Sequence, residues 1–187
     1  MAIRIYIDQG HNPVNPNAGA EGNGYREQDI TYRIGQELFT LLENDPAFEA
    51  RLSRSSPDVV LGISNADSLR QRVEGAEAFD ADLFLSLHTN ASSLPAATGS
   101  EALVFSLTGT AADIARVILR YMAEATGLPN RGVKARPGLY VLRRTSMPAI
   151  VLEMGFITNE RDATLMAEAP GLFARGIYNG LRSYYGV

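Results

Sequence analysis

The sequence predicts a single α/β domain, residues 1–187, built on a twisted, mostly parallel (mixed) sheet of about six strands with helices on both faces. Three observations carry this reading. Short apolar segments alternate along the chain with longer segments whose apolar residues recur at helical spacing. One segment, Leu83–Leu87, is apolar almost throughout, as in a parallel strand covered on both faces. The 187 residues, 45% hydrophobic and 20% charged, suit one sizeable core.

The elements follow in order. Ile3, Ile5 and Ile7 alternate as a strand. It stops at Asp8, and a loop rich in Asn, Pro and Gly runs from Asn12 to Gly24. Tyr25 to about Glu43 reads as a helix with Ile30, Ile34, Leu38, Leu41 and Leu42 on one face, ended by Asn44, Asp45 and Pro46. Phe48–Arg54 alternates as a second strand. Asn65–Phe79 is a helix capped by Asn65 or Asp67, with Leu69, Val73 and Ala76 inward. Leu83–Leu87 leads straight into His88, and Thr89–Thr98 is a loop of small residues. Ser100–Leu107 is a strand, and Ala111–Ala125 a helix closed by Gly127 and Pro129. Asn130–Gly138 reads as a loop, Leu139–Leu142 as a strand, and Ala149–Leu152 as a short strand ending at Glu153. Asn159 caps a short helix through Met166, and Pro170 opens a last helix to Tyr184.

Composition removes several functions. A net charge of -4 without blocks of like charge does not recommend nucleic acid or an anionic membrane surface as a partner. The absence of cysteine excludes disulfides, thiolate metal sites and a cysteine nucleophile. No apolar run has the length of a transmembrane segment, and no basic-then-apolar signal segment precedes the first strand.

The chain has 2 histidines, His11 and His88, and each ends or closely follows a predicted strand. Glu153 closes a third. Ligands of open α/β sheets bind outside the carboxyl ends of the strands, so parallel strands gather these side chains at one edge. Glu27, at the start of the first helix, is brought there by the Asn12–Gly24 loop. Two imidazoles and one carboxylate form a common catalytic Zn2+ set, which leaves the other carboxylate, Glu153, as general base. Simpler roles stand beside these. Either histidine alone reads as a polar strand terminus, Glu27 as a first-turn carboxylate facing the helix dipole, and Glu153 as half of a buried ion pair with an arginine. Glu101 is a weaker candidate because it begins a strand.

The ordered motifs resemble those of the zinc-dependent N-acetylmuramoyl-L-alanine amidases of the Amidase_3 family, nearly end to end. IRIYIDQGHNP is similar to the family's opening strand and Asp-Pro-Gly-His-Gly turn, and GYREQDI to its Gly-x-x-Glu helix start. SRSSPD corresponds to a Thr-Arg-x-x-Asp segment, DADLFLSLHTNAS to a Ser-x-His-x-Asn-Ala turn, and GSEALVFS and NRGVK to later elements. MPAIVLEMGFITNERD is similar to the Pro-x-x-Leu-x-Glu-x-Gly-Phe-x-x-Asn signature. The chain departs from the pattern at Gln9 (proline), Asn12 (glycine), Ser53 (threonine) and Glu77 (asparagine).

The resemblance implies His11, Glu27 and His88 as Zn2+ ligands and Glu153 as the catalytic glutamate, the positions reached from the residues alone. It implies hydrolysis of the amide between the lactyl group of N-acetylmuramic acid and L-alanine of the peptidoglycan stem peptide. Asp8 is expected either to hold a ligand histidine or to serve the turn. Asn90 and Arg131 are expected to meet the anionic stem peptide or to take ordinary loop roles. Some relatives carry a helical plug after the second histidine; the short stretch from Asn90 to Glu101 predicts none here. A cell-wall setting, as part of a longer or processed protein, is the corresponding expectation for location. A stem-peptide peptidase with the same zinc set and a binding module without catalysis are the competing functions.

Overall fold

A computed structural model describes all 187 residues. Its main sheet has 6 strands in the order β4-β1-β5-β8-β6-β7. These are β1 (Ile3–Gln9), β4 (Phe48–Leu52), β5 (Leu83–Asn90), β6 (Ser100–Val104), β7 (Asn130–Ala135) and β8 (Ala149–Phe156). β4, β1, β5 and β8 run parallel, whereas β6 is antiparallel to β8 and carries β7 parallel to itself. A small ribbon of β2 (Glu21–Gly22) and β3 (Tyr25–Arg26) occupies the end of the long first loop. It delays α1 to Glu27–Glu43 rather than Tyr25.

The remaining helices are α2 (Asn65–Ala78), α3 (Thr110–Thr126), α4 (Tyr140–Arg144), α5 (Glu160–Glu168) and α6 (Pro170–Tyr185). Asn159 caps α5 by accepting from the Asp162 amide, and Pro170 opens α6, as the sequence predicts. The cap of α2 is Ser64, whose hydroxyl accepts from the Asp67 amide, in place of Asn65 or Asp67.

Two predicted elements change identity. Asn130–Ala135, read as loop, is the edge strand β7, and the predicted strand Leu139–Leu142 is mostly the one-turn helix α4. The strand total survives because one error replaces the other. Val141 and Leu142 are both buried although adjacent, which a half-covered strand would not allow but a helix tucked against the sheet does.

Side-chain alternation divides the sheet. Ile5, Ile7, Leu83, Leu85, Leu87, Ile150 and Leu152 join a cluster of 30 buried residues with α1, α3, α5 and α6. The opposite face packs a cluster of only 10 against α2 and α4. In-register neighbours cross this thinner face in rows: Tyr6 and Phe84 with Ala149, then Asp8 and Ser86 with Val151, then His88 beside Glu153 beside Glu101. The rows turn from apolar to polar toward the carboxyl ends of the parallel strands, where the helical cover ends.

Candidate metal centre and catalytic site

β1 ends in a turn that needs unusual backbone. His11 sits at φ 68, a left-handed conformation that few non-glycine residues adopt and that concentrates at functional positions. The preceding Gly10 is equally constrained, since a Cβ there would lie 2.4 Å from the Leu87 carbonyl oxygen and 2.6 Å from His88 Cε1. Close contact between the two histidine-bearing segments therefore depends on glycine.

Buried polar groups hold this turn. Asp8 Oδ1 accepts from Arg72 Nη1 at 2.6 Å and Asp8 Oδ2 from Ser86 Oγ at 2.6 Å. Arg72 also donates to the carbonyls of Gln9 and His11, each at 2.7 Å, and to Asn12 Oδ1 at 3.2 Å. Asp8 thus bonds to neither imidazole; it anchors the arginine that grips the His11 backbone. The two departures from the family turn are used as well. Gln9 Oε1 accepts from the Arg54 amide, and Asn12 ties the loop to the Pro16 and Leu61 carbonyls.

Glu27 opens α1 and is almost fully buried. Its Oε2 lies 3.2 Å from His11 Nε2, and its Oε1 lies 3.1 Å from His88 Nδ1. The Ala20 and Thr89 amides donate to the same oxygens, both at 2.9 Å, and fix the carboxylate plane. Burial alone would raise the Glu27 pKa, but hydrogen bonds and charge from the two histidines hold it well below the usual carboxylate range. For His88, burial lowers the pKa and the Glu27 interaction raises it, with the second effect prevailing.

The three donors fit a zinc ion. Their ligand atoms all lie within 4.8 Å of one another. With zinc bonds of about 2.0–2.1 Å in tetrahedral geometry, neighbouring ligand atoms stand roughly 3.3 Å apart, close to the two carboxylate–imidazole separations observed. The buried His11 Nδ1 has no hydrogen-bond partner, and the ring packs edge-on against His88 at 4.8 Å between centroids.

Glu153 lies inside β8, opposite His88 on one side and Glu101 on the other. Its Oε2 is buried and has no hydrogen-bond partner. Burial, reinforced by the Glu27 and Glu101 charges against the opposing pull of His88, pushes the Glu153 pKa up to about 7. This is the environment of a carboxyl that gains and loses a proton near neutrality. No arginine pairs with Glu153, so the simpler reading of it as half of a buried ion pair does not hold. The site opens on a cavity of about 280 Å³ lined by His11, His88 and Glu153 together with Leu103, Tyr140 and Val151. No helix lies between β5 and β6, so no internal plug covers it.

Asn90 and Arg131 both reach Glu101: Asn90 Nδ2 donates to Oε1 at 3.2 Å and Arg131 Nε to Oε2 at 3.0 Å. The sequence ranks Glu101 low because the start of a strand is the wrong end of a parallel sheet. β6 is antiparallel, so its start lies at the active edge. Arg72 stands in no motif, and Ser86 and Lys134 stand in motifs that give them no role; only their partners in space distinguish the three from other polar residues.

Comparison with known proteins places the chain in a family. Residues 5–183 match the family model for N-acetylmuramoyl-L-alanine amidase. The chain is 35% identical over 186 residues to the N-acetylmuramoyl-L-alanine amidase LytC of Bacillus subtilis, covering 97% of this chain and 35% of LytC. It is 32% identical to the sporulation-specific N-acetylmuramoyl-L-alanine amidase of the same organism, covering 99% of this chain and 69% of that protein. The chain therefore spans about a third of one curated relative and about two thirds of the other. Among solved structures, the catalytic domain of CwlV from Bacillus (Paenibacillus) polymyxa var. colistinus superposes with a TM-score of 0.85 at 30% identity, covering 99% of both chains. AmiC2 of Nostoc punctiforme gives 0.86 at 28%, covering 99% of this chain and 98% of that one. With its family match nearly end to end, the chain belongs to the Amidase_3 family of N-acetylmuramoyl-L-alanine amidases.

Proposed function

We propose that residues 1–187 form a zinc-dependent catalytic domain that hydrolyses the amide between the lactyl group of N-acetylmuramic acid and L-alanine of the stem peptide. The observation that carries the reading is the convergence of His11, Glu27 and His88 within 4.8 Å, with the unpaired carboxyl of Glu153 one strand away. Family membership supports the bond that is cut.

His11, Glu27 and His88 would hold the zinc, which when bound would supply a Lewis acid for the carbonyl and lower the pKa of water toward about 7. Glu153 takes a proton from the water that attacks the lactyl carbonyl and returns one to the departing alanine amine. Its elevated pKa suits both transfers. The Ala20 and Thr89 amides orient Glu27, while Asp8 acts through Arg72 to keep the His11 turn in place. Asn90 and Arg131 face the stem peptide from the Glu101 side.

Peptidoglycan is the macromolecular partner, and the domain works at the cell wall. No helix is long and apolar enough to cross a membrane. The test is to label the new amino termini released from purified peptidoglycan. Alanine at the new terminus, absent after chelation and restored by zinc, supports the reading. A different amino-terminal residue moves the enzyme to the stem-peptide peptidases.

A further inference from the structure

Charge is distributed unevenly along this chain. Its formal net charge is -4, yet residues 125–152 carry Arg131, Lys134, Arg136, Arg143 and Arg144 and no Asp or Glu. This stretch makes β7, α4 and the start of β8, and its Leu139, Tyr140 and Val141 line the cavity that reaches Glu153. Arg136, Arg143 and Arg144 are exposed and enter no ion pair.

Arg131 and Lys134 are held differently. Lys134 Nζ donates to Glu101 Oε2 at 2.6 Å, beside the Arg131 contact at 3.0 Å. The Glu101 side chain is 7% exposed, whereas those of Arg131 and Lys134 are 37% and 35% exposed. One buried carboxylate thus fixes two accessible cations, one more than its own neutralisation requires. The Arg131 guanidinium also lies over the Phe156 ring at 5.0 Å and directs Nη1 to the Thr98 carbonyl. Two long side chains are ordered in advance, which reduces the entropy lost when they take a ligand.

Their distance from the reacting bond selects the ligand. Glu101 stands opposite Glu153 on the adjacent strand. Strands lie about 4.8 Å apart, so the tethered cations stand roughly 5–10 Å from Glu153. An extended chain covers about 3.3–3.6 Å per residue. The cations therefore reach groups roughly one to three residues beyond the alanine nitrogen, a span that includes the residue after alanine.

Resting on the amidase reading, we propose that Arg131 and Lys134, positioned by Glu101, form a subsite for a carboxylate on the stem-peptide residue that follows L-alanine. The exposed arginines of the β7–α4 wall draw the remaining anionic peptide toward it.

The test uses the zinc-loaded protein and two synthetic muramyl dipeptides that differ only at the second residue, one with a free carboxylate and one with a carboxamide. The wild type should prefer the carboxylate by about tenfold in kcat/KM, the scale of a charge-assisted hydrogen bond. Lys134→Met and Arg131→Gln should bring that ratio close to one, chiefly through KM, whereas Lys134→Arg should retain most of it. Thermal melts establish that each variant is folded, and a purely structural role would lower both substrates together. Equal cleavage of the two substrates by the wild type overturns the subsite and leaves the amidase standing. So does an unchanged ratio in both charge-removing variants. A wild type that cuts neither substrate, with zinc bound, overturns the amidase reading and the subsite with it.

Discussion

Replacing Arg72 with methionine tests how the metal turn is held. The arginine is buried, 2% exposed against 1% for Asp8, and the two are 2.6 Å apart. Methionine fills much of the volume but removes the donors to Asp8, to the Gln9 and His11 carbonyls and to Asn12. Asp8 then keeps Ser86 as its hydrogen-bond donor but loses its countercharge. Removing one partner of a buried pair costs about 3–5 kcal/mol, a large part of the stability of an ordinary domain. Urea unfolding should show that loss as a lower midpoint at unchanged slope. Adding Asp8→Asn should recover part of it, because the uncompensated charge goes too. Burial pushes the Asp8 pKa up, but Arg72 and Ser86 outweigh it and hold the group low. A depressed carboxyl contributes stability that is complete above its unfolded value, about 3.9, and fades as pH falls through the folded one. The gap between wild type and Arg72→Met should therefore narrow in acid. A loss below about 1 kcal/mol, or additive effects of the two substitutions, would refute the account of this pair.

Four further outcomes are expected. Glu153→Gln should lower the hydrolysis rate at least ~10²-fold with zinc content unchanged by metal analysis; full activity removes Glu153 from the mechanism. In metal-free protein, the raised Glu153 pKa favours folding with the group protonated, and that advantage is lost as pH rises from its ordinary 4.5 through about 7. Glu153→Gln should thus gain stability relative to wild type between pH 4 and pH 8, by on the order of 3 kcal/mol; parallel denaturation curves would contradict this. Gly10→Ala must displace the Leu87 backbone or His88, so calorimetry should show weakened zinc binding and a stability loss of about 1–3 kcal/mol; wild-type affinity would mean that the turn tolerates a side chain. Zinc at about 100 times its Kd should stabilise the wild type by roughly 2.7 kcal/mol, and His11→Ala or His88→Ala should abolish most of that gain in thermal melts.

The candidate site was legible because the apolar runs that lead into it are legible, although β5 and β8 continue past His88 and Glu153 to Asn90 and Phe156. Apolar runs point directly at His11, His88 and Glu153, and the helical period starting near Glu27 places the fourth residue. What the sequence concealed depends on direction and distance. The antiparallel course of β6 turns Glu101 from a strand start into a neighbour of Glu153, and no local pattern encodes that reversal. The Asp8–Arg72 pair joins residues 64 positions apart, on a strand and a helix whose packing only the fold reveals. Asn130–Ala135 carries glycine and charge, so it resembles a loop until β6 supplies its hydrogen-bond partners. α4 has 5 residues, too few for helical periodicity to show, and its apolar Tyr140–Leu142 run passes for a strand.

Hydrolysis of a muramyl peptide in water enriched in ¹⁸O tests the central claim most directly. The account predicts one labelled oxygen in the lactyl carboxylate of the sugar fragment and an unlabelled peptide beginning with L-alanine, both lost on chelation. Label in a carboxyl group within the peptide would contradict it, as would undiminished cleavage after the zinc is removed.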